Sequence, residues 1–166
     1  MIKNFLKKKE IVLAGFLFLF ALMVSASNSG ALLPQSDGNY VQWTPKSGTV
    51  HYTQVDESAC NGTTDYNFTT TVGNRDSYGV NISTVDDTSK ITQIDITPCA
   101  SRNTTGGANP VMNVFYRYNG VNSSDSGSYS LTGTTPTALA TTSFTSLTLY
   151  KGATTTLEVG AVLTSS

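Results

Sequence analysis

The chain has 166 residues, 39% hydrophobic and only 13% charged, with one histidine, one tryptophan and two cysteines. Four of its ten basic residues and one of its eleven acids precede residue 27, so beyond that point six cations face ten acids, a formal charge of −4. Those cations (Lys46, Arg75, Lys90, Arg102, Arg117, Lys151) are scattered rather than clustered, which argues against a partner made of nucleic acid.

The chain opens with MIKNFLKKKE, then a small or apolar run from Ile11 to Val24, then Ser25-Ala26-Ser27. A basic stretch, an apolar stretch and a small-residue site make a secretory signal, cleaved after Ala26. As a helix the fourteen-residue apolar run rises roughly 21 Å, short of the ~30 Å hydrocarbon core, so a cleaved signal helix is expected over a retained anchor. The membrane is then met only through this segment, were it uncleaved. Residues 27–37 read as a linker and 38–166 as one domain, long enough to bury a core. The expected location is secreted or at the cell surface.

Beyond the signal no apolar 3.6-residue period runs for ten residues. Short runs rich in β-branched and aromatic residues alternate with turn clusters instead. Strands are expected near 40–43, 50–55, 65–70, 77–82, 91–97, 111–118, 128–131, 141–149 and 156–163. Alternation is clearest at Tyr78, Val80 and Ile82, at Met112, Val114, Tyr116 and Tyr118, and at Leu157, Val159, Ala161 and Leu163. Strands with one apolar face belong to antiparallel sheets, so the expected fold is all-β: a two-sheet β-sandwich, jelly-roll or immunoglobulin-like, of about eight or nine strands. The last expected strand runs nearly to Ser166, which leaves two readings open. Either that strand pairs within the domain, or the chain is a piece of a longer multi-module protein and 156–163 offers an edge to a neighbouring sheet.

Cys60 and Cys99, an even pair in an exported chain without a close C-x-x-C, read as one disulfide rather than as metal ligands. His51 alternates with Val50 and Tyr52 and is expected to be a solvent-facing or hydrogen-bonded strand residue. No G-x-S-x-G elbow accompanies it, so no catalytic residue is assigned. Asp56-Glu57 and Asp86-Asp87 read as turn formers. A loop calcium site at Asp86 and Asp87 is the only cofactor considered, and the spacing is not that of an EF-hand. Trp43, with Tyr40, Tyr52 and Tyr66 near it, reads either as core or as a platform for sugar rings; Trp43, Tyr40 and Tyr66 are the candidate binding residues. Five N-x-S/T sequons begin at Asn61, Asn67, Asn81, Asn103 and Asn122.

The run Trp43-Thr44-Pro45, then His51-Tyr52-x-x-Val55-Asp56-Glu57, Asp65-Tyr66, Asp76-Ser77-Tyr78 and Ile94-x-Ile96 resembles β-sandwich modules of bacterial surface proteins and phage structural proteins. The resemblance implies a framework tryptophan, acids that order the loop after them, and a place in stalks, fibres or carbohydrate-contacting heads. It brings no catalytic residue. The expectation is therefore an exported, non-enzymatic module for surface structure or adhesion, its partner a protein or a glycan. A carbohydrate-binding module is the alternative, and a secreted hydrolase using His51 or acids near Asp56 a third reading.

Overall fold

The computed structural model describes residues 31–60, 64–103 and 107–166. The expected signal helix over 1–26, residues 27–30 of the expected linker, the Asn61 sequon and Thr104-Thr105 of the Asn103 sequon lie outside the described residues.

Within them the chain is all-β. In order come β1 (Pro34–Val41), β2 (Thr44–Pro45), a 3₁₀ turn (Tyr52–Gln54), β3 (Asn67–Phe68), β4 (Arg75–Val80), β5 (Lys90–Ile91), β6 (Ile94–Ile96) and β7 (Cys99–Ala100). There follow β8 (Val111–Tyr118), β9 (Val121–Asn122), β10 (Ser126–Ser130), β11 (Thr137–Ala138), β12 (Thr142–Phe144), β13 (Leu149–Tyr150) and β14 (Leu157–Ser165). The expected strand over 50–55 is the 3₁₀ turn instead. Asp37 Oδ1 accepts the Tyr52 N–H at 2.7 Å and the Thr53 hydroxyl donates to the Val50 carbonyl at 3.1 Å. The Thr53 bond is a local competitor of a strand ladder, and Asp37, fifteen positions away, takes the N–H that a ladder would use. β1 starts at Pro34, inside the stretch expected as linker.

A six-stranded antiparallel sheet runs β1-β4-β14-β8-β10, with β9 on the same margin of β8 as β10. Of the two readings left open for 156–163, pairing within the domain holds and an edge does not: β14 pairs with β4 on one side and β8 on the other. The reason is written in β14 itself. Leu157, Val159, Ala161 and Leu163 face one way, and on the other face Gly160 and Val162 are uncharged while the Glu158 carboxylate is met by Asn39, Ser77 and Arg117, so the strand is coverable on both sides. A Cβ at Gly160 would stand 2.7 Å from the Phe115 ring, so this glycine gives the fully buried Phe115 its seat.

The four remaining ladders are two-stranded, and three of them align. β5–β13, β6–β12 and β7–β11 pair 90–100 with 137–150 as one interrupted ribbon. Its breaks have local causes. Between β5 and β6 two residues oppose the four from Thr145 to Thr148, where Ser146 takes φ 58°, and between β6 and β7 stands Pro98, which has no N–H to donate. Ile91, Ile94, Ile96, Phe144, Leu147 and Leu149 of the ribbon pack with Val80, Ile82, Tyr116 and Leu157 of the main sheet and its margin. The Cys60–Cys99 disulfide, Cα–Cα 5.5 Å, ties the loop after the 3₁₀ turn to β7.

Candidate functional site: a buried histidine–aspartate network

Side chains in β4 alternate, placing Asp76, Tyr78 and Val80 on the face shared with Ala161 and Val159, and Arg75, Ser77 and Gly79 on the other. Asp76 is fully buried there. The 3₁₀ turn, held against β1 through Asp37, brings its leading residue His51 over that carboxylate. His51 Nδ1 lies 3.0 Å from both Asp76 oxygens. The Tyr78 hydroxyl donates to Asp76 Oδ2 at 2.8 Å, and Asn67 Nδ2 donates to the Tyr78 oxygen at 3.0 Å and to the His51 carbonyl at 2.9 Å. Asn67 Oδ1 is buried without a partner among the described residues.

Burial pushes the Asp76 carboxyl above its ordinary range, against the hydrogen bonds from His51, Tyr78 and the Trp43 backbone that favour its anion. Burial also raises the Tyr78 phenol well above its ordinary range, and the negative charge of Asp76 adds to that. An aspartate on Nδ1 orients the Nε2 of a histidine, the arrangement a general base uses. Catalysis then requires a nucleophile within reach of Nε2. No described side chain is bonded there, and His51 is 7% exposed. Of the expected solvent-facing or hydrogen-bonded strand histidine, the hydrogen-bonded alternative holds and the strand does not: His51 precedes a 3₁₀ turn.

Trp43 is half-buried, and its indole N–H donates to the Asn74 carbonyl at 3.0 Å. Tyr40 lies on the opposite face of the main sheet, edge-on to Phe115 at 5.8 Å, its hydroxyl accepting from Asn122 at 2.8 Å. The Arg75 guanidinium stands 4.8 Å from the Phe115 ring and is bidentate to Asp125 at 2.8 and 2.7 Å. Tyr66 meets Phe68 edge-on at 6.2 Å, with the Lys46 ammonium 5.6 Å from its ring. Tyr40 and Tyr66 thus take Phe115 and Phe68 as their ring partners.

The acids also regroup. Burial raises the Glu57 carboxyl against its own backbone hydrogen bond, and Asp65 adds a hydrogen bond and like charge in the same direction. The charge of Asp56 adds to the same rise. The Asp86 carbonyl closes a turn to the Ser89 N–H, and Asp87 pairs with Lys151. Among the described residues no three His, Cys, Asp or Glu side chains converge as metal ligands. An open groove of about 610 Å³ runs between β1, β4 and the start of β14, bordered by Ser36, Asp37, Asn81, Lys151 and Glu158 and by no aromatic ring. Of the sequons, Asn67 spends its amide on the buried network, whereas Asn81 is exposed and its Oδ1 accepts the Ser83 N–H at 2.8 Å.

Sequence reasoning found His51 but missed Asp76, Tyr78 and Asn67. The signal was present in β4: an acid spaced two residues from Tyr78 shares its face, and an acid on a core face needs a partner.

No family model, curated protein or solved structure matches this chain. The class that fold and site define is an antiparallel all-β chain with one disulfide, whose His51 and Asp76 are engaged with each other.

Proposed function

We propose that this chain is an exported, non-catalytic β-sandwich module serving surface structure or adhesion, as a unit of a longer assembly. The observation that carries this reading is the burial of the His51–Asp76–Tyr78–Asn67 network, whose hydrogen bonds run among its own members. Its polar groups hold the 3₁₀ turn and β3 to β4, a structural use for the histidine and aspartate. The ribbon's apolar side chains packed with those of the main sheet support two facing layers, and the disulfide suits an extracytoplasmic location. Screens of the purified chain on esters and glycosides should show no turnover that His51→Ala abolishes. A turnover lost in that variant, with the fold kept, overturns the reading.

A glycan contact is the second reading, favoured by the exposed Phe68 (46%) beside Tyr66 and Lys46. Glycan-array binding that disappears in Tyr66→Ala would establish it, and an empty array would remove it.

A further inference from the structure

We propose that the main sheet is a tension clamp: a pull on the two flanks of the domain loads β1 and β14 in shear across β4, with the Glu158 carboxylate bolting the strands together. The proposal deepens the surface-module reading and rests on it.

Strand polarity comes first. β1 and β14 both run antiparallel to β4, hence parallel to each other. Pro34 stands opposite Val80 and Glu158 opposite Gly79, so both strands begin at the same end of the sheet. The chain enters the sheet at Pro34 and leaves it at Ser165, at the other end. Pulling on the flanks therefore drags β1 and β14 in opposite directions along β4. Hydrogen bonds of an antiparallel ladder lie perpendicular to the strands, so this pull loads them together instead of one after another.

The β1–β4 ladder shifts register twice, between Pro34 and Ser36 and between Asp37 and Val41, and side chains fill the second gap. Between Asp37 opposite Tyr78 and Val41 opposite Asp76, β1 bulges. The Asn39 N–H there donates to Glu158 Oε2 at 2.9 Å and the Tyr40 N–H to Ser77 Oγ at 3.0 Å. The Ser77 hydroxyl donates to the same Glu158 oxygen at 2.7 Å, and Arg117 donates to Oε1 at 2.9 Å. One carboxylate of β14 thus holds β1, β4 and β8 through charge-assisted bonds, the stronger kind. Gly38 is what lets β1 approach: a Cβ there would lie 2.3 Å from Ser77 Oγ and 2.5 Å from Glu158 Oε2.

The disulfide extends the device. β4 lies inside the loop closed by Cys60 and Cys99, so once β1 slides off, tension passes through the sulfurs and β4 stays on β14.

Single-molecule pulling of the exported chain tests this, in two geometries. Held by tags at its N-terminal end and after Ser166, the oxidised chain should break cooperatively, at a force several-fold above that for handles at exposed Val72 and after Ser166, which unzip β4 from β14. Glu158→Gln should lower the end-to-end force and leave the unzipping force unchanged. After end-to-end rupture the reduced chain should lengthen further than the oxidised one by roughly 130 Å, the reach of the 39 residues that separate the two cysteines. Equal forces in the two geometries, an equal Glu158→Gln loss in both, or equal lengthening with and without reductant would each overturn the clamp. His51-dependent turnover in the enzyme screens would sink the surface-module reading alone and leave these forces as they are.

Discussion

The β14–β8 ladder at the centre of the main sheet is continuous, whereas the 90–100/137–150 ribbon is broken. β14 and β8 stay in register from Leu157 opposite Tyr118 to Leu163 opposite Met112. The ribbon's ladders hold two or three pairs and then lose register. The difference lies in what covers the backbone. Phe115 and Val162 on one face of the central strands and Val114 and Leu163 on the other are all buried, so the hydrogen bonds between them are shielded on both sides. In the ribbon the residues alternating with Ile91, Ile94 and Ile96 are exposed, and water there can replace a lost pair at little cost. Burial on both faces enforces register, and burial on one face tolerates bulges.

That contrast can be broken most directly at its centre. Phe115→Ala should cost about 4 kcal/mol, since the ring is fully buried and Gly160 beneath it offers nothing to fill the cavity. In the ribbon, half-buried Phe144, edge-on to Tyr116 at 5.1 Å, should cost only about 2 kcal/mol when cut to alanine. Urea melts of both variants give the ratio, and equal losses would mean that the ribbon is as much core as the sheet. Replacing Cys60 and Cys99 together by serine should remove up to about 4 kcal/mol, and amide exchange should rise most around β7 and the loop after the 3₁₀ turn. Uniform exchange across the chain would instead mean that the bond acts only through the unfolded state.

A pH series sharpens the role of Asp76. Its carboxyl is raised in the fold, so between the ordinary aspartate value near 4 and the raised one the folded chain holds a proton that the unfolded chain has released. Stability from this group is therefore present at the acid end and declines as pH rises through that window. The stability difference between the parent and Asp76→Asn should shrink on going from about pH 4 upward, and a difference that grows would reverse the assignment. The smallest effect is expected at Tyr150, 58% exposed on the ribbon, where Tyr150→Thr should stay within about 0.5 kcal/mol of the parent.

Much of the fold was legible because strand alternation is local. The run 111–118 reads as a strand from its pattern and is one, and the cysteine pair is joined as the count implied. The 3₁₀ turn was not legible, because what selects it is Asp37, a residue fifteen positions away that captures the Tyr52 N–H. The candidate binding residues fared similarly. Tyr40, Trp43 and Tyr66 are close in sequence, but the β1 bulge sends Tyr40 to the Phe115 face, while Trp43 bonds to Asn74 and Tyr66 turns to Phe68.

By itself the sequence determined an all-β antiparallel chain with one disulfide, since strand period, turn chemistry and cysteine parity all act within a few residues or by count. Only the tertiary structure decided that β14 is central, that His51 is spent on Asp76, and that Glu158 reaches across to β1. Each of these depends on which strands become neighbours, and pairing partners 25 to 119 positions apart are chosen by burial of the whole sheet, not by any local pattern.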